Sequence, residues 1–84
     1  MEEKYQSKYV QIGLNVIYYR KKGKMTQFQL AEYADVNRST ISAIERGSVG
    51  LSLDMIFKLS EALGVEPVDL LDLKTDADVR TVNK

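Results

Sequence analysis

The chain has 84 residues, 44% of them hydrophobic, which allows one globular core and leaves no room for a second domain of ordinary size. It contains no cysteine and no histidine, which excludes disulfide stapling, zinc sites built on thiolate or imidazole, and the usual nucleophile and general-base pairings. The formal charge of zero hides a split, because positions 1–50 carry eight Lys/Arg against five Asp/Glu and positions 51–84 four against seven; the first part, at +3, would turn toward an anionic partner.

The opening ten residues are charged and tyrosine-bearing, unlike a signal peptide, and no run approaches the roughly 20 apolar residues of a membrane span. A cytoplasmic protein with no membrane partner is the expectation. Residues 1–8 read as an N-terminal extension. Over 9–22, Ile12, Val16 and Tyr19 recur at helical spacing on one side, and Gly23 and Lys24 end that first helix. Thr26 then reads as an N-cap, with Gln29 completing a capping box and Met25 and Leu30 placed as a hydrophobic staple, so a second helix is expected over 27–34. The same grammar recurs twice. Asn37 caps a third helix that runs to Arg46, stapled by Val36 and Ile41 and closed by Gly47 in the left-handed conformation. Ser52 caps a fourth, stapled by Leu51 and Ile56 and ended by Gly64. Pro67, whose missing N–H costs nothing in a first turn, opens a short fifth helix over 67–73. Residues 74–84 are polar, lack apolar periodicity and read as a frayed tail. The expected architecture is all-α: one compact five-helix domain over 9–73.

The connection between the second and third helices, Asp35-Val36-Asn37, is short enough for a helix-turn-helix. At about 100° per residue, Ile41 and Ile44 fall on one side of the third helix, and Arg38, Ser39, Ser42, Ala43 and Arg46 on the other. Short hydroxyls flanked by arginines make a poor packing surface. They suit a major groove, which admits one helix and offers hydrogen-bonding edges to Arg and Ser.

The run Met25-Thr26-Gln27-Phe28-Gln29-Leu30-Ala31-Glu32, followed by Val36-Asn37-Arg38-Ser39-Thr40-Ile41-Ser42-Ala43-Ile44-Glu45-Arg46-Gly47, resembles the Xre/Cro and lambdoid-repressor type of helix-turn-helix. Ile12-Gly13, Arg20-Lys21, Ser52-Leu53, Leu59, Ala62-Leu63-Gly64-Val65 and Leu70-Leu71 extend the likeness over most of the chain. The resemblance implies a lambda-repressor-like DNA-binding domain and a double-stranded DNA partner. It implies that Arg38, Ser39 and Ala43 read base edges, with Ser42 beside them. It also implies that Gln27 grips a phosphate and braces the third helix, and that Arg20 and Glu45 form a buried ion pair between helices one and three. Thr40, Arg46 and Ser48 complete the candidate phosphate contacts. Two positions depart from the family pattern. Asp35 stands where a turn glycine is usual, and Ser48-Val49-Gly50-Leu51 replaces a segment that often carries a basic residue and a proline. Ala43 has no hydrogen-bonding group and can only touch a thymine methyl, which places the weight of base reading on Arg38.

Leu14, Ile17 and Tyr18 form an apolar stripe where the family more often has polar residues, and Phe28 is similarly out of character. Either Tyr5 and Tyr9 fold back over them, or they are a partner surface; that surface, or Val68 and Leu71 on helix five, would join two subunits. The expected function is a transcriptional regulator, a repressor or autoregulator, that binds a palindromic operator as a homodimer with no cofactor and no small-molecule ligand. The competing reading is a protein-binding module of antitoxin-like or repressor-antagonist type. A DNA reader loses affinity with salt at a slope of about −0.9 per phosphate contact, and an apolar protein interface does not. No phosphate-cradling glycine loop or catalytic constellation points to an enzyme.

Overall fold

In the computed structural model, which describes residues 1–73, a 3-10 turn at Glu3–Tyr5 leads into five α-helices. These are α1 (Gln6–Lys22), α2 (Gln27–Ala34), α3 (Arg38–Glu45), α4 (Leu53–Leu63) and α5 (Pro67–Leu70). The tail expected over 74–84 lies outside the described residues. α2 and α3 form the helix-turn-helix, with α1 packed against α3 and α4 against α2. Val16, Leu30, Ala31, Ala34, Ile41, Ile44, Leu59 and Leu70 are buried together at the centre, and Met25, Val36 and Leu51, which precede the caps of α2, α3 and α4, pack against them. No helix among the described residues is long and apolar enough to cross a membrane.

Local chemistry explains most of the boundaries. Thr26 and Gln29 make the reciprocal capping box, with Thr26 Oγ1 accepting from the Gln29 N–H at 3.0 Å and Gln29 Oε1 from the Thr26 N–H at 2.9 Å. Ser52 Oγ accepts from the Met55 N–H at 3.1 Å, and Gly64 ends α4 at φ 71°. Three expectations are corrected. α1 starts at Gln6 rather than at position 9, since Gln6, Ser7 and Lys8 are polar and continue the helix without an apolar period to announce it. Asn37 occupies the N-cap position of α3 in an extended conformation, but its side chain makes no capping bond. α5 stops at Leu70 rather than at 73, because the carbonyls of Leu70 and Asp72 accept from the Asn15 side-chain amide, at 2.9 and 2.8 Å. Asn15 is itself buried, and its oxygen accepts from Gln11 at 3.2 Å, so this amide pins the end of α5 to α1.

α1 and α3 approach unusually closely. A Cβ on Gly13 would lie 2.5 Å from the Ile44 carbonyl oxygen and 2.7 Å from that of Glu45. Gly47, at φ 70°, is pressed against Val10 in the same way, where a Cβ would lie 2.6 Å from the Val10 Cα. The last turn of α3 is therefore seated directly on the α1 backbone.

Candidate nucleic-acid interface

α3 has two unlike faces. Ile41 and Ile44 are fully buried, while Arg38, Ser39 and Arg46 are exposed and Ser42 and Ala43 half-buried between them. Thr40 is half-buried on the flank. The outward strip is small in its middle and cationic at both ends. Short side chains of this kind would let a helix backbone approach base edges in a groove about 12 Å wide, and the two guanidiniums would extend the reach beyond it.

The turn that aims this helix depends on Asp35, which takes the left-handed conformation (φ 58°, ψ 49°) expected of it in place of glycine. The Val36 N–H then donates to the Ala31 carbonyl at 3.0 Å, closing the end of α2 before Asn37 opens α3. At the other end, the Ser48 N–H and hydroxyl both donate to the Ala43 carbonyl, each at 3.1 Å. Ser48 therefore has both donors engaged within the protein and meets a phosphate only by rotating its hydroxyl. Arg46 donates from Nη1 to the Ser42 Oγ, which holds it along the exposed strip.

A hydrogen-bonded chain lies behind the strip. Arg20 donates from Nε to Glu45 Oε2 at 2.6 Å and from Nη2 to Oε1 at 3.1 Å, and its Nη1 donates to the Met25 carbonyl at 2.9 Å. The two side chains are only 11% and 5% exposed. Glu45 Oε1 also accepts from Gln27 Nε2 at 2.9 Å, and Gln27 Oε1 accepts from Arg38 Nη1 at 3.5 Å. Sequence reasoning named all four residues but did not connect Gln27 to Glu45 or to Arg38. Those separations of 18 and 11 positions leave no periodic signal.

The apolar candidates divide. Leu14, Tyr18, Phe28, Val68 and Leu71 are exposed, whereas Ile17 is half-buried and adds little to an open surface. Tyr5 and Tyr9 do not cover Leu14 or Tyr18. They line a groove with Ile12, Leu51, Leu53, Ile56 and Leu71, on the side of α4 and α5. Leu53 and Phe57, 65% and 47% exposed, stand one turn apart on α4, and sequence reasoning passed over them. Their i, i+4 spacing was the available signal.

A helix-turn-helix family model matches residues 16–70. The chain is 54% identical over 54 residues to the control protein C.BamHI of Bacillus amyloliquefaciens, spanning 64% of this chain and 67% of that protein. It is 39% identical over 59 residues to an HTH-type transcriptional regulator of Methanocaldococcus jannaschii, spanning 70% of this chain and 89% of that one. Among solved structures, the restriction-modification controller protein C.AhdI of Aeromonas hydrophila is similar with a TM-score of 0.75 at 33% identity, covering 76% of this chain and 97% of that one. The five-helix architecture, the exposed strip of α3 and these likenesses agree, and the chain belongs to the helix-turn-helix family of Xre/Cro and lambdoid-repressor type, whose members are DNA-binding transcriptional regulators and not enzymes.

Proposed function

We propose that this protein represses or autoregulates transcription by binding a palindromic operator as a homodimer, with one α3 in each of two successive major grooves. The outward strip of α3 carries this reading: Arg38, Ser39, Ser42 and Ala43 face away from a buried Ile41–Ile44 seam. In this reading Arg38 takes a guanine O6 and N7, Ser39 and Ser42 assist, and Ala43 contacts a thymine methyl. Gln27, Thr40, Arg46 and Ser48 meet the flanking phosphates. The likeness to C.BamHI and to the restriction-modification controller C.AhdI supports a controller of this kind.

Selection of bound sequences from a random duplex pool tests the reading. The wild type should enrich a two-fold symmetric site, and Arg38→Ala should lose discrimination at one base pair of each half, worth about 1–3 kcal/mol. Enrichment of nothing, or an unchanged site after Arg38→Ala, would remove base reading through α3.

Pairing brings the two recognition helices about one DNA turn, roughly 34 Å, apart. The exposed Val68 of α5 and Leu71 just past its end, with Leu53 and Phe57 of α4, are the apolar surface that supports it. In light scattering, Leu71→Glu should shift the mass from dimer to monomer while Tyr18→Glu leaves it unchanged. A mass halved only by Tyr18→Glu would move the contact to α1.

A further inference from the structure

Between α1 and the end of α5 lies a cavity of about 300 Å³ that no residue of the α3 strip lines. Gln11, Asn15, Tyr18 and Tyr19 follow one another along one face of α1 at helical spacing, and Asp69 and Asp72 close the other side from α5 and the turn after it. The buried Asn15 amide, bonded to the carbonyls of Leu70 and Asp72 at 2.9 and 2.8 Å, fixes the two walls to each other. The lining is one-sided in its chemistry. Among the described residues it holds two carboxylates and no lysine or arginine. Asn15 spends both amide hydrogens on those carbonyls, so it adds an acceptor and no further donor. Asp69 Oδ2 accepts from the Glu66 N–H at 3.0 Å, which uses one of about four acceptor positions on a carboxylate. The aromatic wall suits the same charge. The Tyr18 and Tyr19 rings meet edge-on with centroids 4.9 Å apart, and the Lys22 ammonium, from outside the cavity, lies 5.7 Å from the Tyr18 centroid. A ring with carboxylates beside it attracts a cation through its quadrupole and through charge together.

We propose that this cavity receives an arginine side chain of a partner protein, with the guanidinium stacked on Tyr18 and donating to Asp69. A planar guanidinium does both at once, whereas an ammonium is a compact, strongly hydrated charge that loses more water on entry. The volume lies at the lower end of the range for ligand sites, room for one long side chain rather than a cofactor. The rim decides between a free cation and a protein. Leu14 and Tyr18 are 49% and 58% exposed there, and a small cation would leave them in water. A protein that presents an arginine beside apolar residues covers them as it docks, the arrangement of a binding hot spot, in which an anchor is ringed by contacts that exclude water. The site shares no residue with the α3 strip or with the surface of Leu53, Phe57, Val68 and Leu71, so it stands or falls apart from DNA reading and from pairing.

The probe is the blocked peptide acetyl-leucyl-arginyl-leucine amide, set against the same peptide with citrulline, which keeps the shape of arginine and loses its charge. Titrated into isotope-labelled protein and followed by amide NMR shifts, the arginine peptide should bind saturably at about millimolar strength, with the shifts gathered on Gln11, Asn15, Tyr18 and Asp69. The citrulline peptide should bind about tenfold more weakly, the difference made by charge in a hydrogen bond. Tyr18→Leu keeps an apolar rim and removes the ring, and should weaken the arginine peptide about threefold. Asp69→Asn keeps an oxygen for the Glu66 N–H and removes the charge, and should weaken it about fivefold. Thermal melting checks both folds, and Tyr18, at the surface, can be replaced without opening the core. Equal binding of the two peptides, shifts scattered over the other surface carboxylates, or no saturable shift up to about 10 mM would each overturn the proposal. If Tyr18→Leu or Asp69→Asn turns a dimer into a monomer in light scattering, the occupant is a second copy of this chain and the partner protein is wrong.

Discussion

Glu45→Ala should lower the free energy of unfolding by about 3–5 kcal/mol, the loss found when one member of a buried ion pair is removed and the other is left without a counter-charge. Three hydrogen bonds end on the carboxylate, two from Arg20 and one from Gln27, and after the substitution Arg20 keeps only the Met25 carbonyl. A small domain has about 5–15 kcal/mol in all, and each kcal/mol moves the midpoint by roughly 4–8 °C, so the melting temperature should fall by at least about 12 °C. Circular dichroism during heating reads this directly. Replacing both members with methionine should recover most of the loss, because the cost arises from a stranded charge and not from the absence of attraction. A single variant that loses under about 1 kcal/mol would mean that water screens the pair as it does on a surface.

The glycines give the second large effect, and they should rank in order. Alanine is normally the better helix former by about 1 kcal/mol, yet Gly13→Ala should destabilise, since its Cβ meets the Ile44 and Glu45 carbonyl oxygens at 2.5 and 2.7 Å. Those are backbone atoms and cannot rotate aside. Forcing α1 from α3 costs about 1–3 kcal/mol by the usual measure of overpacking. Gly47→Ala adds the strain of a side chain at φ 70°, about 1–2 kcal/mol, to a clash with the Val10 backbone, and should be the worst of the three. Gly64 has the same left-handed conformation with nothing within 4 Å, so Gly64→Ala should show the strain alone. Urea unfolding of the three variants checks the order. A Gly47→Ala variant no worse than Gly64→Ala would mean that the contact with Val10 yields without cost.

What the sequence made legible was whatever local chemistry encodes. Thr26 with Gln29, Ser52 with its N3 amide, and Gly64 mark helix ends because each satisfies backbone groups within four residues. The faces of α3 followed from periodicity alone. Contacts that depend on which distant segments meet stayed hidden. Asn15 reads as a solvated polar residue on α1, and only the return of α5 buries it under the carbonyls of Leu70 and Asp72. The Asp69 carboxylate, which accepts from the Glu66 N–H at 3.0 Å at the start of α5, is a local signal of the same kind beside Pro67. Within the interface, the types and positions of Arg38, Gln27 and Glu45 were visible, and their connection was not.

Arg20, Gly13 and Asn15 all belong to α1, and through them this one helix carries both ends of the molecule that matter for a paired reader: the close seat of α3 and the pinned end of α5. It therefore acts as a gauge bar. In the proposed dimer the distance between recognition helices is set inside each subunit as much as at the contact between them. One inserted base pair turns a half-site by roughly 35° about the DNA axis. Held through its middle by backbone contact at Gly13 and by the buried amide of Asn15, α1 has little compliance to follow that turn.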